Sequence, residues 1–204
     1  MKNTLTYCIA LLLCFAVCGC GAGAKESNPA KLLGRPMRLP TEDVHWQVLD
    51  RDTTLQMPRG MKIVVYYDAG GCTSCRMKQL ESWKTVIRKV ERLRTEESLD
   101  VELLFILRAK PHDRAFERAL VEHDFRHPVL CDGRGEFERT NVLARDELYN
   151  VFLLTESDRT VMVGSPIFSP ELWERYKDRI RLFAPKIRDR TSYPKKHIHA
   201  VDIR

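Results

Sequence analysis

The chain has 204 residues, enough for one domain with appendages. Hydrophobic residues make up 44% of it, which supplies a real core and excludes global disorder. The formal net charge is +6. Lys and Arg nevertheless alternate with Glu and Asp through residues 76–120 and 171–190, so no basic stripe interleaved with aromatics offers a nucleic-acid footprint. At the N-terminus Lys2 is the sole charge before Lys25, and Leu5, Tyr7, Cys8, Ile9, Leu11, Leu12, Leu13, Phe15 and Val17 form an apolar run. A short positive start followed by about 14 apolar residues has the form of a secretory signal peptide. It is short for a spanning helix, which needs about 20.

The run closes on Val17-Cys18-Gly19-Cys20. This resembles the bacterial lipobox. The resemblance implies that residues 1–19 are a lipoprotein signal peptide and that Cys20 is lipidated and becomes the new N-terminus. An uncleaved N-terminal anchor is the other reading. Two or three acyl chains on Cys20 make a stable membrane anchor where one is marginal. The implied location is the cell envelope, lipid-anchored and facing the periplasm. Residues 20–40 contain Gly21, Gly23, Ser27, Pro29, Gly34, Pro36 and Pro40. This is linker composition without periodicity, expected to let a domain stand away from the bilayer.

The domain is expected over 41–184. Residues 44–50 alternate loosely and read as a first edge strand, and Met57-Pro58-Arg59-Gly60 as a turn. Lys62-Ile63-Val64-Val65-Tyr66-Tyr67 is a β-branched and aromatic run typical of a buried strand. After Asp68-Ala69-Gly70-Gly71, the residues Met77, Leu80, Trp83, Ile87 and Val90 step by three and four, predicting a helix to about residue 94. A strand follows over 101–107. A helix follows over 112–123, with Phe116, Leu120 and Val121 facing inward. His127-Pro128-Val129-Leu130-Cys131 is a short extended piece, and a short helix holds Phe137. Residues 149–154 and 160–164 flank the polar turn Glu156-Ser157-Asp158-Arg159 and read as a β-hairpin. The last helix, over 170–182, presents Leu172, Trp173, Tyr176, Ile180 and Phe183. The order β-α-β-α-β-hairpin-α predicts parallel strands first and an antiparallel pair last. Residues 185–204 form a basic tail. Its His197 and His199 are too few to make a structural zinc site, and no cofactor or metal is assigned.

Of seven cysteines, four remain once the leader is removed before Cys20, too few for a disulfide framework. The chemistry therefore falls to Cys72-Thr73-Ser74-Cys75, placed between a buried strand and a helix. Unpaired N–H groups and a partial positive charge at a helix start stabilise a thiolate. Cys72 then attacks a disulfide and Cys75, one turn in, resolves the mixed disulfide. Half of a metal site, or a static disulfide in a scaffold, are the bland alternatives. Cys131 reads as a small core residue.

The segment VVYYDAGGCTSCRMKQLESWK, with the later FLLTESDRTVMVGSPI, resembles the thioredoxin-like superfamily. It is most similar to the thiol–disulfide oxidoreductase and peroxiredoxin-like branch found in small bacterial lipoproteins. The resemblance spans about residues 60–182. It implies an α/β, three-layer fold, a central mixed sheet with helices on both faces, and Cys72 and Cys75 as catalytic cysteines. It departs from the family at Gly71 and Ser74, where an aromatic residue and a proline are common. Tyr66 corresponds to a buried acidic residue. Asn150, or Leu148, stands near the usual cis-proline. The implied activity is thiol–disulfide exchange with exported protein thiols or disulfides and a further redox partner, with no nucleic acid. The alternative is a tethered, non-catalytic binding module. Metal handling by Cys72, Cys75 and a tail histidine is a third reading.

Overall fold

A computed structural model describes residues 23–68, 73–110 and 113–187, with backbone alone for 73–78. Its strands are β1 (Lys25–Glu26), β2 (Val44–Val48), β3 (Arg51–Thr53), β4 (Met61–Tyr67), β5 (Val101–Leu107), β6 (Val129–Asp132), β7 (Leu143–Ala144), β8 (Val151–Leu154) and β9 (Thr160–Val163). Its α-helices are α1 (Thr73–Thr95), α2 (Arg114–Glu122), α3 (Glu136–Thr140) and α4 (Pro170–Phe183). Seven strands make one mixed sheet in the order β3-β2-β6-β5-β4-β8-β9. β4, β5 and β6 run parallel, while β2 and β8 lie antiparallel to their neighbours β6 and β4. β4 is covered on both faces, which is why it reads as a continuous apolar run rather than an alternating one.

Period-two alternation divides the strands between two cores. On one face Ile63, Val65, Leu103, Phe105, Val129 and Leu153 meet Leu80, Trp83 and Val90 of α1. Phe116 and Leu120 of α2, and Trp173, Tyr176 and Ile180 of α4, join the same core. On the other face Val64, Leu104, Ile106, Leu130 and Phe152 meet Phe137 of α3 and Leu32 of the 3-10 helix Pro29–Leu32. The sheet therefore has helices on both faces, with the three long ones on one side. Asp113 caps α2 by accepting from the N–H groups of Ala115 and Phe116. Ser169 does the same for α4 from Leu172, with Pro170 opening the helix.

Four local expectations change. β2 is not an edge strand, because β3 covers its free side. Val121 and Phe183 are each 47% exposed. One lies about 100° around the helix from Leu120, off the buried stripe, and the other ends α4. Residues 23–40, read as a linker, are packed onto the domain. β1 pairs in parallel with β7, Leu32 and Met37 are buried, and Asn141 Oδ1 and Nδ2 bond the N–H and C=O of Arg38 at 2.7 and 2.8 Å. The glycines and prolines mark turns along a docked strap, whose irregular path leaves no periodic signature. Finally, the start of the basic tail is tied down: Asp100 donates to the Pro185 carbonyl at 2.9 Å and Ile187 to that of Ser98 at 2.8 Å. No helix among the described residues is long and apolar enough to cross a membrane.

Candidate functional site

The site expected from sequence lies where β4 ends and α1 begins. Tyr67 closes β4 and Thr73 opens α1. Cys72, like Cys20, lies outside the described residues. Cys75 is the third residue of α1, in its first turn, and its side chain falls outside the description. That turn carries no acidic residue. The helix is 23 residues long, and nothing in its first turn opposes the positive end of its dipole.

α1 is fixed to the sheet beneath it. Trp83, fully buried, donates its indole N–H to Tyr67 Oη at 2.9 Å and sets its ring edge-on to Phe105. Tyr66 points the other way. Its hydroxyl donates to Glu138 Oε2 of α3 at 2.8 Å, and Arg108 Nη1 pairs with Glu138 Oε1 at 2.5 Å. The Arg108 N–H donates to the Tyr67 carbonyl at 2.9 Å, so β4, β5 and α3 interlock at the end of β4. Burial, and then the Glu138 carboxylate, push the Tyr66 hydroxyl far above its ordinary range. Tyr66 therefore stays protonated, and it faces away from the layer that holds α1. Gly135, with φ of +67°, lets the Arg108 guanidinium lie across it, where a Cβ would stand 1.5 Å from Nη1.

Asn150, near the expected proline, is buried and ties together β4, β7 and the 3-10 helix Glu147–Tyr149. Its carbonyl accepts the Tyr66 N–H at 3.0 Å, its Oδ1 accepts the Ala144 N–H at 3.0 Å, and its own N–H donates to Glu147 at 2.9 Å. No cis peptide bond occurs among the described residues. Leu148 and Tyr149 belong to the 3-10 helix Glu147–Tyr149, which leads into β8. Leu148 is 50% exposed and Tyr149 39%, and Ser165 binds the Leu148 carbonyl, bringing the loop with Phe168, 61% exposed, alongside. These three are exposed apolar side chains on the segments before β8 and after β9. Sequence reasoning did not single out Leu148 and Phe168 as exposed apolar residues, because they have no periodic neighbours.

Cys131 lies on β6, wholly buried, with Sγ 3.7 Å from Gln47 Oε1. Burial pushes its thiol up to about 12, as suits a core residue. Among the described residues no group of three His, Cys, Asp or Glu side chains is placed to hold a metal. His197 and His199 lie outside them.

No family model and no curated protein matches the chain by sequence. By structure it is similar to a putative protein disulfide isomerase from Bacteroides thetaiotaomicron, at 12% identity and a TM-score of 0.47, covering 79% of this chain and 93% of that one. A mutant of PrxQ from Xylella fastidiosa matches at 13% and 0.45, over 79% and 99% of the two chains. A putative thiol–disulfide oxidoreductase from Bacteroides vulgatus matches at 10% and 0.44, over 71% and 91%. The solved structures that resemble this chain are thus thioredoxin-like, thiol–disulfide oxidoreductase and peroxiredoxin proteins.

Proposed function

We propose that the protein is a membrane-tethered thiol–disulfide oxidoreductase of the cell envelope. In this reading Cys20 carries the lipid, and Cys72 and Cys75 exchange disulfides with exported proteins. The observation that supports it most is the position of the CxxC between the buried central strand β4 and the acid-free first turn of α1. Backbone N–H groups and the helix dipole there favour a thiolate over a thiol. The exposed apolar side chains of Leu148, Tyr149 and Phe168, before β8 and after β9, suit an unfolded polypeptide, whose apolar side chains need a partner surface.

In the reaction the Cys72 thiolate attacks a substrate disulfide, forms a mixed disulfide and expels one substrate thiolate. The Cys75 thiol gives up its proton, attacks Cys72 Sγ and releases the second substrate thiolate. Cys72 and Cys75 end as a disulfide and the substrate as a dithiol, with two electrons transferred. We expect Cys72→Ser to abolish reduction of insulin disulfides by the reduced protein, and Cys75→Ser to accumulate mixed disulfide visible on a non-reducing gel. Full reductase activity in Cys72→Ser would sink the reading.

A tethered, non-catalytic binding module is the second reading. Asn150 favours it, because a trans-linked, internally hydrogen-bonded residue stands where the resemblance implies a cis-proline. It expects wild-type behaviour from the double serine variant.

A further inference from the structure

We infer that the crevice between the C-terminal half of α1 and the start of β5 binds a primary alkylammonium group. Its nearest source is the chain's own basic tail, through Lys195 or Lys196, and a free amine offers the same chemistry. Neither Cys72 nor Cys75 takes part.

Two adjoining hollows make the crevice, each about 20 Å³ in volume. That is room for one group the size of a water molecule. Glu102, Leu103 and His127 line both hollows. His127 is 9% exposed, and its Nε2 lies 3.1 Å from the Leu103 carbonyl oxygen. A carbonyl only accepts, so Nε2 carries the hydrogen and the neutral ring leaves Nδ1 as a lone pair. Nδ1 is buried and has no hydrogen-bond partner among the described residues. Glu91 Oε2, which lines one of the hollows from α1, is a second buried acceptor without a hydrogen bond. Buried acceptors are costly to leave unserved, and one donor group in this space serves both.

Charge and shape choose the donor. Glu91 and Glu102 bring two negative charges. Arg94 cancels one, with Nη1 3.6 Å from Glu91 Oε2 and Nη2 3.9 Å from Glu102 Oε1. With His127 neutral, the lining keeps one net negative charge. Water serves the lone pairs but leaves that charge unanswered, whereas an ammonium group supplies both N–H donors and the opposite charge. A guanidinium is planar and broader than a water-sized hollow. The walls suit an alkyl stem: Trp46, Leu55, Pro58 and Pro128 on one side, Ile87 on the other. An indole ring beside the site adds attraction for a cation.

The tail departs from the domain beside this crevice. Ile187 donates its N–H to the Ser98 carbonyl at 2.8 Å, and Ser98 precedes Glu102 by four residues. Those four span at most about 15 Å. Lys195 and Lys196 follow Ile187 by eight and nine residues, which extend to about 30 Å. The reach exceeds the gap. Residues 188–204 carry five Lys and Arg against two Asp, so a negative crevice attracts them. A tether this short holds its lysines at an effective concentration on the order of millimolar, enough to fill a weak site.

The test follows the His127 Nδ1 signal by NMR in the full chain carrying isotope-labelled histidine, during titration with n-butylammonium chloride. Its loss in His127→Phe assigns the signal. Tetramethylammonium chloride, a cation of the same charge without an N–H, is the control. We expect n-butylammonium to move the signal saturably in Lys195→Gln/Lys196→Gln, and tetramethylammonium to leave it in place. Glu91→Gln, of nearly the same size, is expected to weaken that binding about tenfold by removing a charge-assisted acceptor. In the native chain half-saturation is expected to need about tenfold more n-butylammonium, because a tail lysine holds the site. Equal midpoints with and without the two lysines keep the site and assign it to a free amine. No movement in the double-glutamine chain leaves the hollows to water and overturns the inference. Movement by both cations alike, or binding that Glu91→Gln leaves unchanged, overturns it as well.

Discussion

His127 shows what one buried titratable group does to this domain. Its Nε2–H donates to the Leu103 carbonyl at 3.1 Å, and its ring stands edge-on to Phe105. Nδ1 has no partner among the described residues. Burial drives its pKa down to about 4, and the Leu103 bond and the nearby Glu102 only partly offset this. The unfolded chain therefore binds a proton near 6.5 that the folded one refuses until about 4. Stability is full above pH 6.5 and falls as the pH drops toward 4, by at most about 3 kcal/mol from this residue. Urea denaturation across that range should show the decline, and His127→Phe should flatten it while losing about 1 kcal/mol at pH 7 for the Leu103 bond. An unchanged slope in the variant would mean that other groups govern the acid limb. At the same scale Asn150 and Tyr66 are anchoring residues, each spending its polar atoms on binding neighbouring elements.

Among the elements, β4 carries the greatest electrostatic risk. Lys62 lies in the middle of the sheet with a side-chain exposure of 2%, and its Nζ reaches Asp158 Oδ1 at 2.7 Å in the β8–β9 turn. Asp158 itself holds a left-handed backbone, φ +58°, which aspartate tolerates better than most residues. Breaking a buried pair from one side strands a charge, whereas removing the charge with an apolar chain does not. Asp158→Asn, which keeps the turn geometry, is expected to cost about 2–3 kcal/mol, and Lys62→Met less than 1. Chemical denaturation of both variants checks the order, and a larger loss in Lys62→Met would refute it. The clamp between Trp83 and Tyr67 has a related purpose, since it sets where the first turn of α1 sits above the end of β4.

At the scale of the whole molecule, the N-terminal strap completes the second core. Without it, Val64, Leu104, Phe152 and Leu154 would lose Leu32 and Met37 from the layer that covers them. Leu32→Ala is expected to cost about 3 kcal/mol through lost burial and the cavity left behind. A chain beginning at Thr41 should lose more than that and become sensitive to protease within β8. Equal denaturation midpoints for the full and shortened chains would show that the strap is an accessory. The strap thus stabilises the domain by completing its second core.

The sequence by itself determined the α/β class, the buried strand over 62–67, the long helix after it, the hairpin and the final helix. Each of these is written in local periodicity: β-branched runs, apolar residues at three and four, and turn residues between them. It also marked Cys72 and Cys75 through their spacing and place in the chain. Only the tertiary structure decided that residues 23–40 are part of the domain, because their contacts lie about a hundred residues away, at Asn141, Asp158 and Thr160. The same holds for the Tyr66–Glu138–Arg108 lock and the Lys62–Asp158 pair. Polar partners and surface neighbours brought together by distant chain segments leave no pattern along the chain, since what selects them is proximity after folding rather than order before it.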